Sequence, residues 1–360
     1  MTPQQVITEL QTKGLNLVPT TGASGRRGGA GPSDHKAVTI GDKTFMVPVY
    51  TDGAAESPYS VENTSGESVL TKDSSPITEL DFPNKPKFYD LTTADGIPYW
   101  KIALLHSRNV LATTVLQTCI RYDNRKTACQ FCAIGQSLAE GRTVARKTPQ
   151  QLAEVAEAAV RLDGVNNMIM TTGTPNTTDR GAAYLTECAK AIRARVPHLP
   201  IQAQCEPPND FVWFERMRDA GVDSLGMHLE AADPEVRARI MPGKAQVPLF
   251  YYFKAFKAAT EVFGRGQVST YLLAGLGDSK ETLLDVSERL IDIGVYPFVV
   301  PFVPIGGTPL EHHKPPSSAF MYDLYQGIGQ MLKHGNLLSS DIKAGCAKCG
   351  ACSALSLFES

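Results

Sequence analysis

The sequence predicts an α/β protein built on a parallel sheet, and two observations lead there. From about residue 109 onward, short apolar runs alternate with longer amphipathic segments, and the pair repeats six times. The amphipathic segments carry helix boundary residues: Thr148 and Pro149 open one that Gly164 closes, and Gly221 closes another. Repeated β-α units of this kind imply parallel strands with helices packed outside. Six units fit a partial barrel or a doubly wound open sheet. In both, ligands gather at the carboxyl ends of the strands.

Residues 1–95 are unlike the rest and read as an accessory or cap region. A short helix over Pro3–Lys13 leads into the Gly-rich loop GASGRRGGAGPSDH, where Arg26 and Arg27 either line an anion nest or ride on a surface loop. KAVTI and TFMVPV flank Gly41-Asp42 as a β-hairpin. Residues 51–80, rich in Ser, Asp, Glu and Gly, read as loop. KFYDLTT and IPYWKIALL, on either side of ADG, form a second expected hairpin into the core of residues 96–335.

The six units follow in order. NVLATTVLQT is a strand, followed by the helix TPQQLAEVAEAAVRLDG. NMIMTTG precedes GAAYLTECAKAIRARV, and PIQAQCE precedes NDFVWFERMRDAG. VDSLGMHLE is followed by two helices, DPEVRARIM and PLFYYFKAFKAATEVFG. QVSTYLLAG precedes SKETLLDVSERLIDIG, and YPFVVPFVP precedes SSAFMYDLYQGIGQMLKHG. Residues 336–360 form a separate tail.

The composition excludes some partners. A net charge of −2 over 360 residues argues against nucleic acid or an anionic membrane surface. The N-terminus, MTPQQVITELQTKG, has no apolar signal core, and no apolar run approaches a membrane span. A cytoplasmic protein with reduced thiols is expected, so its cysteines point to metal or catalysis before disulfides.

Of eight cysteines, six fall into two groups. Cys119, Cys129 and Cys132 follow the first core strand. Cys346, Cys349 and Cys352 stand in GCAKCGACS in the tail. Cys188, in a helical pattern, and Cys205, ending an apolar run, read as packing residues. Thiolates hold zinc or iron–sulfur clusters. A structural zinc site is normally closed by four ligands. Three thiolates on one loop leave a position open, and on a cubane cluster they leave one iron free.

At this point the sequence resembles the radical S-adenosylmethionine (SAM) superfamily, and within it the group related to biotin synthase and lipoyl synthase. The usual cluster loop is C-x3-C-x2-C; here it is C-x9-C-x2-C, with the aromatic Phe131 before the last cysteine. Further matches sit at strand ends. They are Thr171, Thr172 and Gly173 after the second strand, His228-Leu229-Glu230 after the fourth, LLAGLGDSKET with Gly275 and Leu276 after the fifth, and PFVPIGGTPL with Val303 after the sixth.

The resemblance implies a partial (β/α)6 TIM-like barrel. It also implies a [4Fe–4S] cluster on Cys119, Cys129 and Cys132 that binds SAM through its free iron. Phe131, Thr171, Thr172, Gly173, Glu206, His228, Glu230, Arg239, Gly275, Leu276 and Val303 are the candidate SAM contacts. Glu230 is expected at the ribose, Arg239 at the SAM carboxylate or in a solvated ion pair. His312 and His313 read as exposed. Reductive cleavage of SAM would give a 5′-deoxyadenosyl radical, which needs a site shielded from solvent.

Cys346, Cys349 and Cys352 resemble an auxiliary-cluster motif, and a second [4Fe–4S] cluster is expected on them, with zinc as the alternative. Ser353 or a substrate atom is the expected fourth ligand. Biotin and lipoyl synthases use such a cluster as a sulfur donor, so sulfur insertion is the leading expected reaction. The alternative is oxidation or rearrangement of a small metabolite, with the second cluster as substrate anchor or electron relay. A zinc-stapled binding module is the reading from a different class. The resemblance also implies a small-molecule or carrier-bound substrate and an electron donor such as ferredoxin or flavodoxin.

Overall fold

Helix α1 (Pro3–Lys13) begins where Thr2 caps it: the Thr2 side chain accepts from the Gln5 backbone, and the Gln5 side chain returns the bond. This computed structural model describes residues 1–17, 34–64 and 67–359, so Arg26 and Arg27 lie outside the described residues. Strands β1 (His35–Ile40) and β2 (Lys43–Pro48) pair antiparallel around Gly41-Asp42, as expected.

Residues 51–80 depart from expectation. After the short helix α2 (Asp52–Ala55), β3 (Tyr59–Thr64), β4 (Glu67–Lys72) and β5 (Ser75–Leu80) form a three-stranded antiparallel sheet. Few of its side chains enter the core, Tyr59, Leu70 and Leu80 among them, so polar composition conceals the strands. Asp73 and Ser74 turn β4 into β5 with both residues at positive φ, a hairpin turn made without glycine.

The second expected hairpin is reduced to one antiparallel bridge, Thr92 to Pro98, with the Thr93 N–H donating to Ile97 O at 2.8 Å and the Tyr99 N–H to Leu91 O at 3.0 Å. Lys87–Asp90 is a 3₁₀ turn and Tyr99–Ile102 the helical turn α3; just β6 (Leu104–Leu105) joins the core sheet. Asp163 accepts the backbone N–H groups of Lys87 and Phe88 at 2.7 and 2.9 Å, and Phe88 is buried. Packing against the next long helix holds the rest of the segment out of the sheet.

The core then follows the predicted order. Strand β7 (Val110–Thr114) is followed by α4 (Ile134–Ala139) and α5 (Pro149–Asp163), the latter closed by Gly164 in the left-handed region. Next come β8 (Asn167–Thr171), α6 (Ala182–Arg195), β9 (Ile201–Gln204), α7 (Val212–Asp219) and β10 (Ser224–Gly226). Three helices follow: α8 (Pro234–Ile240), α9 (Pro242–Ala245) and α10 (Leu249–Phe263). The core closes with β11 (Val268–Ala274), α11 (Lys280–Asp292), β12 (Val295–Pro301) and α12 (Ser318–His334).

The sheet runs β12-β11-β10-β9-β8-β7-β6, parallel from β7 to β12, with β6 antiparallel at one edge. A doubly wound sheet would reverse its strand order at a switch point. This order never reverses, so the fold is a partial (β/α)6 barrel.

The tail, with its short helix α13 (Cys346–Cys349), folds back beneath the amino ends of the strands. Gln267, just before β11, donates to Asp341 O and accepts from the Lys343 N–H, both at 3.0 Å. Gln202 of β9 accepts from the Cys346 N–H at 3.2 Å. From the N-terminal region, the Met46 N–H and Gln11 Nε2 both donate to Ala351 O, at 2.7 and 3.1 Å. The two termini thus close the bottom of the barrel together.

Candidate active site

A cavity of about 450 Å³ occupies the barrel lumen. Cys119, Cys129, Cys132, Phe131, Thr171, Thr172, Gly173, Glu206, His228, Glu230 and Val303 all line it. Cys346 and Cys352 line it too, from the other end.

The upper thiol group sits on the loop after β7. The long first gap of C-x9-C-x2-C closes as a compact local turn. Asn124 O accepts from the Thr127 and Ala128 N–H groups at 2.9 Å, Thr127 Oγ1 donates to Arg121 O at 3.1 Å, and the Cys132 N–H donates to Cys129 O at 3.1 Å. The Ile120 N–H reaches Thr174 O at 2.9 Å, tying the loop to the end of β8. Gly173 allows that approach: a Cβ there would lie 2.1 Å from Thr118 O.

All eight cysteines are free thiols. Burial pushes Cys129 up to about 12 and Cys132 to about 11, so neither ionises on its own near neutral pH. Buried thiolates at these positions need a cationic centre beside them. Among the described residues, no three Cys, His, Asp or Glu side chains converge on a single metal ion. A cubane spreads its thiolates over separate irons, and three thiols on one loop fit that donor pattern.

Two ion pairs flank the thiols. Arg121 Nη1 lies 2.7 Å from Glu206 Oε2, and Thr174 Oγ1 donates to Glu206 Oε1 at 2.6 Å. Lys244 Nζ, from α9, lies 3.1 Å from Glu230 Oε1. Burial opposes the Lys244 charge, but Glu230 and further acidic groups outweigh it and raise its pKa. Glu230 adopts φ +65°, unusual for a residue with a side chain. Its N–H donates to Tyr271 O at 2.9 Å and its carbonyl accepts from the Leu273 N–H at 2.7 Å, pinning that conformation.

At the lower end, Gln204 Nε2 donates to Cys346 Sγ at 3.1 Å. The Tyr271 hydroxyl also bonds to Cys346. Gln204 Oε1 lies 3.1 Å from His228 Nε2, and His228 Nδ1 lies 3.3 Å from the Tyr271 N–H. Nδ1 is therefore the acceptor and Nε2 the protonated nitrogen. Burial pulls His228 down to about 4, so the ring is neutral. Cys349 Sγ lies 3.5 Å from Ser107 Oγ, and Cys352 Sγ lies 3.2 Å from His106 Nε2.

Several candidates fall elsewhere. Leu276 is buried in a small apolar cluster with Ala231, Val236 and Phe302, outside the cavity. Gly275 is not in the lining; its carbonyl faces His313 Nε2 at 2.8 Å, and Pro316 covers its α-carbon. His313 is therefore not an exposed residue, although His312 is. Arg239 lies against Gly277 and not in the cavity wall. Cys349 is not in the lining; it packs against Val110, Ala112 and Ile169. Ser353 is committed elsewhere: Oγ bonds to Val299 O and accepts from the Leu355 N–H at 3.1 Å. Cys205 is buried but borders the cavity. Sequence reasoning did not single out Arg121, Lys244, Gln204, Tyr271, His106 or Ser107, whose roles depend on partners distant in the chain.

Residues 124–290 match the model of the radical SAM superfamily, beginning just after Cys119. The chain is 27% identical over 229 residues to bacteriochlorophyllide c C-7(1)-hydroxylase of Chlorobaculum limnaeum, covering 58% of this chain and 57% of that one. It is 28% identical over 171 residues to lipoyl synthase of Haemophilus influenzae, covering 46% and 50%. The chain thus spans about half the length of the curated relatives it matches. Among solved structures, methylornithine synthase aligns with a TM-score of 0.49 at 17% identity, over 69% of this chain and 68% of that one. The superfamily implies a [4Fe–4S] cluster and SAM. The similarity to the radical SAM superfamily is thus carried by residues 124–290 of this chain.

Proposed function

We propose that this chain reductively cleaves SAM and uses the radical to take a hydrogen atom from an unactivated C–H bond. The observation that carries the reading is the placement of two thiol groups at opposite ends of one lumen. When bound, the upper cluster and SAM supply a 5′-deoxyadenosyl radical; Cys119, Cys129 and Cys132 would hold that cluster. Thr171 to Gly173, Glu206 and Glu230 border the same space. The Glu206–Arg121 and Glu230–Lys244 pairs fix both carboxylates, so the polar wall is preorganised before anything binds. Apolar side chains of Ala112, Ile169, Leu273, Val300 and Phe302 complete the lining.

The finer proposal is sulfur insertion, with Cys346, Cys349 and Cys352 holding a second [4Fe–4S] cluster at the lower end of the same lumen. The similarity to lipoyl synthases supports it. Oxidation of a small metabolite is the second reading, favoured by the similarity to a hydroxylase over a longer stretch of the chain. A small-molecule or carrier-bound substrate and a ferredoxin- or flavodoxin-type electron donor complete the proposal. Single-turnover assays on anaerobically reconstituted protein separate the readings. Sulfur insertion requires acid-labile sulfide to fall as product forms; unchanged sulfide beside product means oxidation or rearrangement.

A further inference from the structure

The tail motif brings three thiols, and a cubane has four irons. The polar groups around the motif decide what meets the fourth. Ser353 is spent on Val299 O and the Leu355 N–H. Gln204 bridges Cys346, Gln202 and His228, and Gln202 holds the Cys346 N–H. Ser107 faces Cys349 from the connection between β6 and β7. On that same connection, His106 is 5% exposed, lines the cavity, and sets Nε2 3.2 Å from Cys352 Sγ. Its N–H donates to Val110 O at 2.8 Å, so the edge of the core sheet fixes the backbone that carries the ring.

We propose that His106 is the fourth protein ligand of the tail cluster, giving a Cys3His site of Cys346, Cys349, Cys352 and His106. This rests on the proposed second cluster and adds its missing donor. Imidazole is a neutral nitrogen donor that already stands at the thiol face, with the sheet edge on one side and the two termini closing the other. It would tie the tail cluster to the first strand of the barrel, which also leads into the upper cysteine loop. Imidazole in place of thiolate lowers the negative charge on a cluster and raises its potential.

The test uses the full chain with Cys119→Ala, Cys129→Ala and Cys132→Ala combined, so that any cluster present belongs to the tail. After anaerobic reconstitution, the proposal expects about four irons per chain. The reduced cluster should show a strong nitrogen hyperfine coupling by pulsed EPR, which changes isotope when histidine rings carry ¹⁵N. His106→Ala should abolish that coupling. His106→Cys should retain the cluster, without the nitrogen coupling, at a lower potential. Failure to bind iron overturns the second cluster and the His106 assignment with it. A cluster that forms with weak nitrogen coupling, as from an imidazole bonded to sulfur, overturns the assignment alone. So does a strong coupling that survives in His106→Ala. The ¹⁵N measurement keeps His106 intact and decides the question even if its variants do not fold.

Discussion

Gln204 Nε2 stands 3.1 Å from Cys346 Sγ, joining a strand of the barrel wall to a cysteine 142 residues further along the chain. The contact places the tail inside the lumen. Gly345 makes it sterically possible: its φ is +111°, and a Cβ there would lie 2.1 Å from the Gln202 side chain. Gly345→Ala is expected to lower stability by about 2 kcal/mol through clash and backbone strain. Iron content should fall from about eight to about four per chain if each thiol group holds one [4Fe–4S] cluster. Denaturant titration and iron analysis measure both, and an unchanged variant would argue that the tail docks differently.

The two thiol groups should divide the work. Cys129→Ala is expected to abolish SAM cleavage. Cys349→Ala should leave cleavage largely intact and block product formation. Assaying 5′-deoxyadenosine and product separately checks this; loss of cleavage in both variants would contradict it.

The buried Arg121–Glu206 pair has side chains about 10% exposed. Arg121→Met would leave a carboxylate buried without its cation, which costs about 3–5 kcal/mol. Adding Glu206→Gln should recover part of that loss. Urea unfolding of the single and double variants tests it, and simple additivity of the two losses would refute the coupling.

His228 gives the apoprotein a pH dependence. Its pKa is lowered to about 4 in the fold, below the ordinary 6.5. Below pH 6.5 the unfolded chain binds a proton that the folded chain refuses until about pH 4, so stability falls as pH drops through that window. The ring borders the cavity and is not fully enclosed, so the loss is on the order of 2 kcal/mol. Comparing wild type with His228→Gln isolates this from the carboxylates that titrate nearby; parallel stability profiles would remove His228 as the cause.

Much of the core was legible because parallel strands and their helices write regular patterns. The six β-α units and the cap at Thr148 followed from them. The β3 to β5 sheet was not, because Ser, Thr and Glu fill most of its positions and its Asp73-Ser74 turn lacks glycine. Cys346 and Cys352 were legible as a motif but not as the opposite end of the same lumen. That placement comes from Gln202, Gln204, Gln267, Gln11 and Met46, each bonding to residues far along the chain. Gly275 and Leu276 carried the motif context and still lie outside the cavity lining, because a strand-end turn exposes some of its residues to the lumen and others to neighbouring loops; Arg239, read as a helix residue, stands on α8 outside the lining.

The most direct measurement is 5′-deoxyadenosine production by reconstituted protein given SAM and a strong reductant without oxygen. The account predicts that it accumulates with wild type and is absent from Cys129→Ala. No 5′-deoxyadenosine from wild-type protein carrying a full complement of iron would contradict the account.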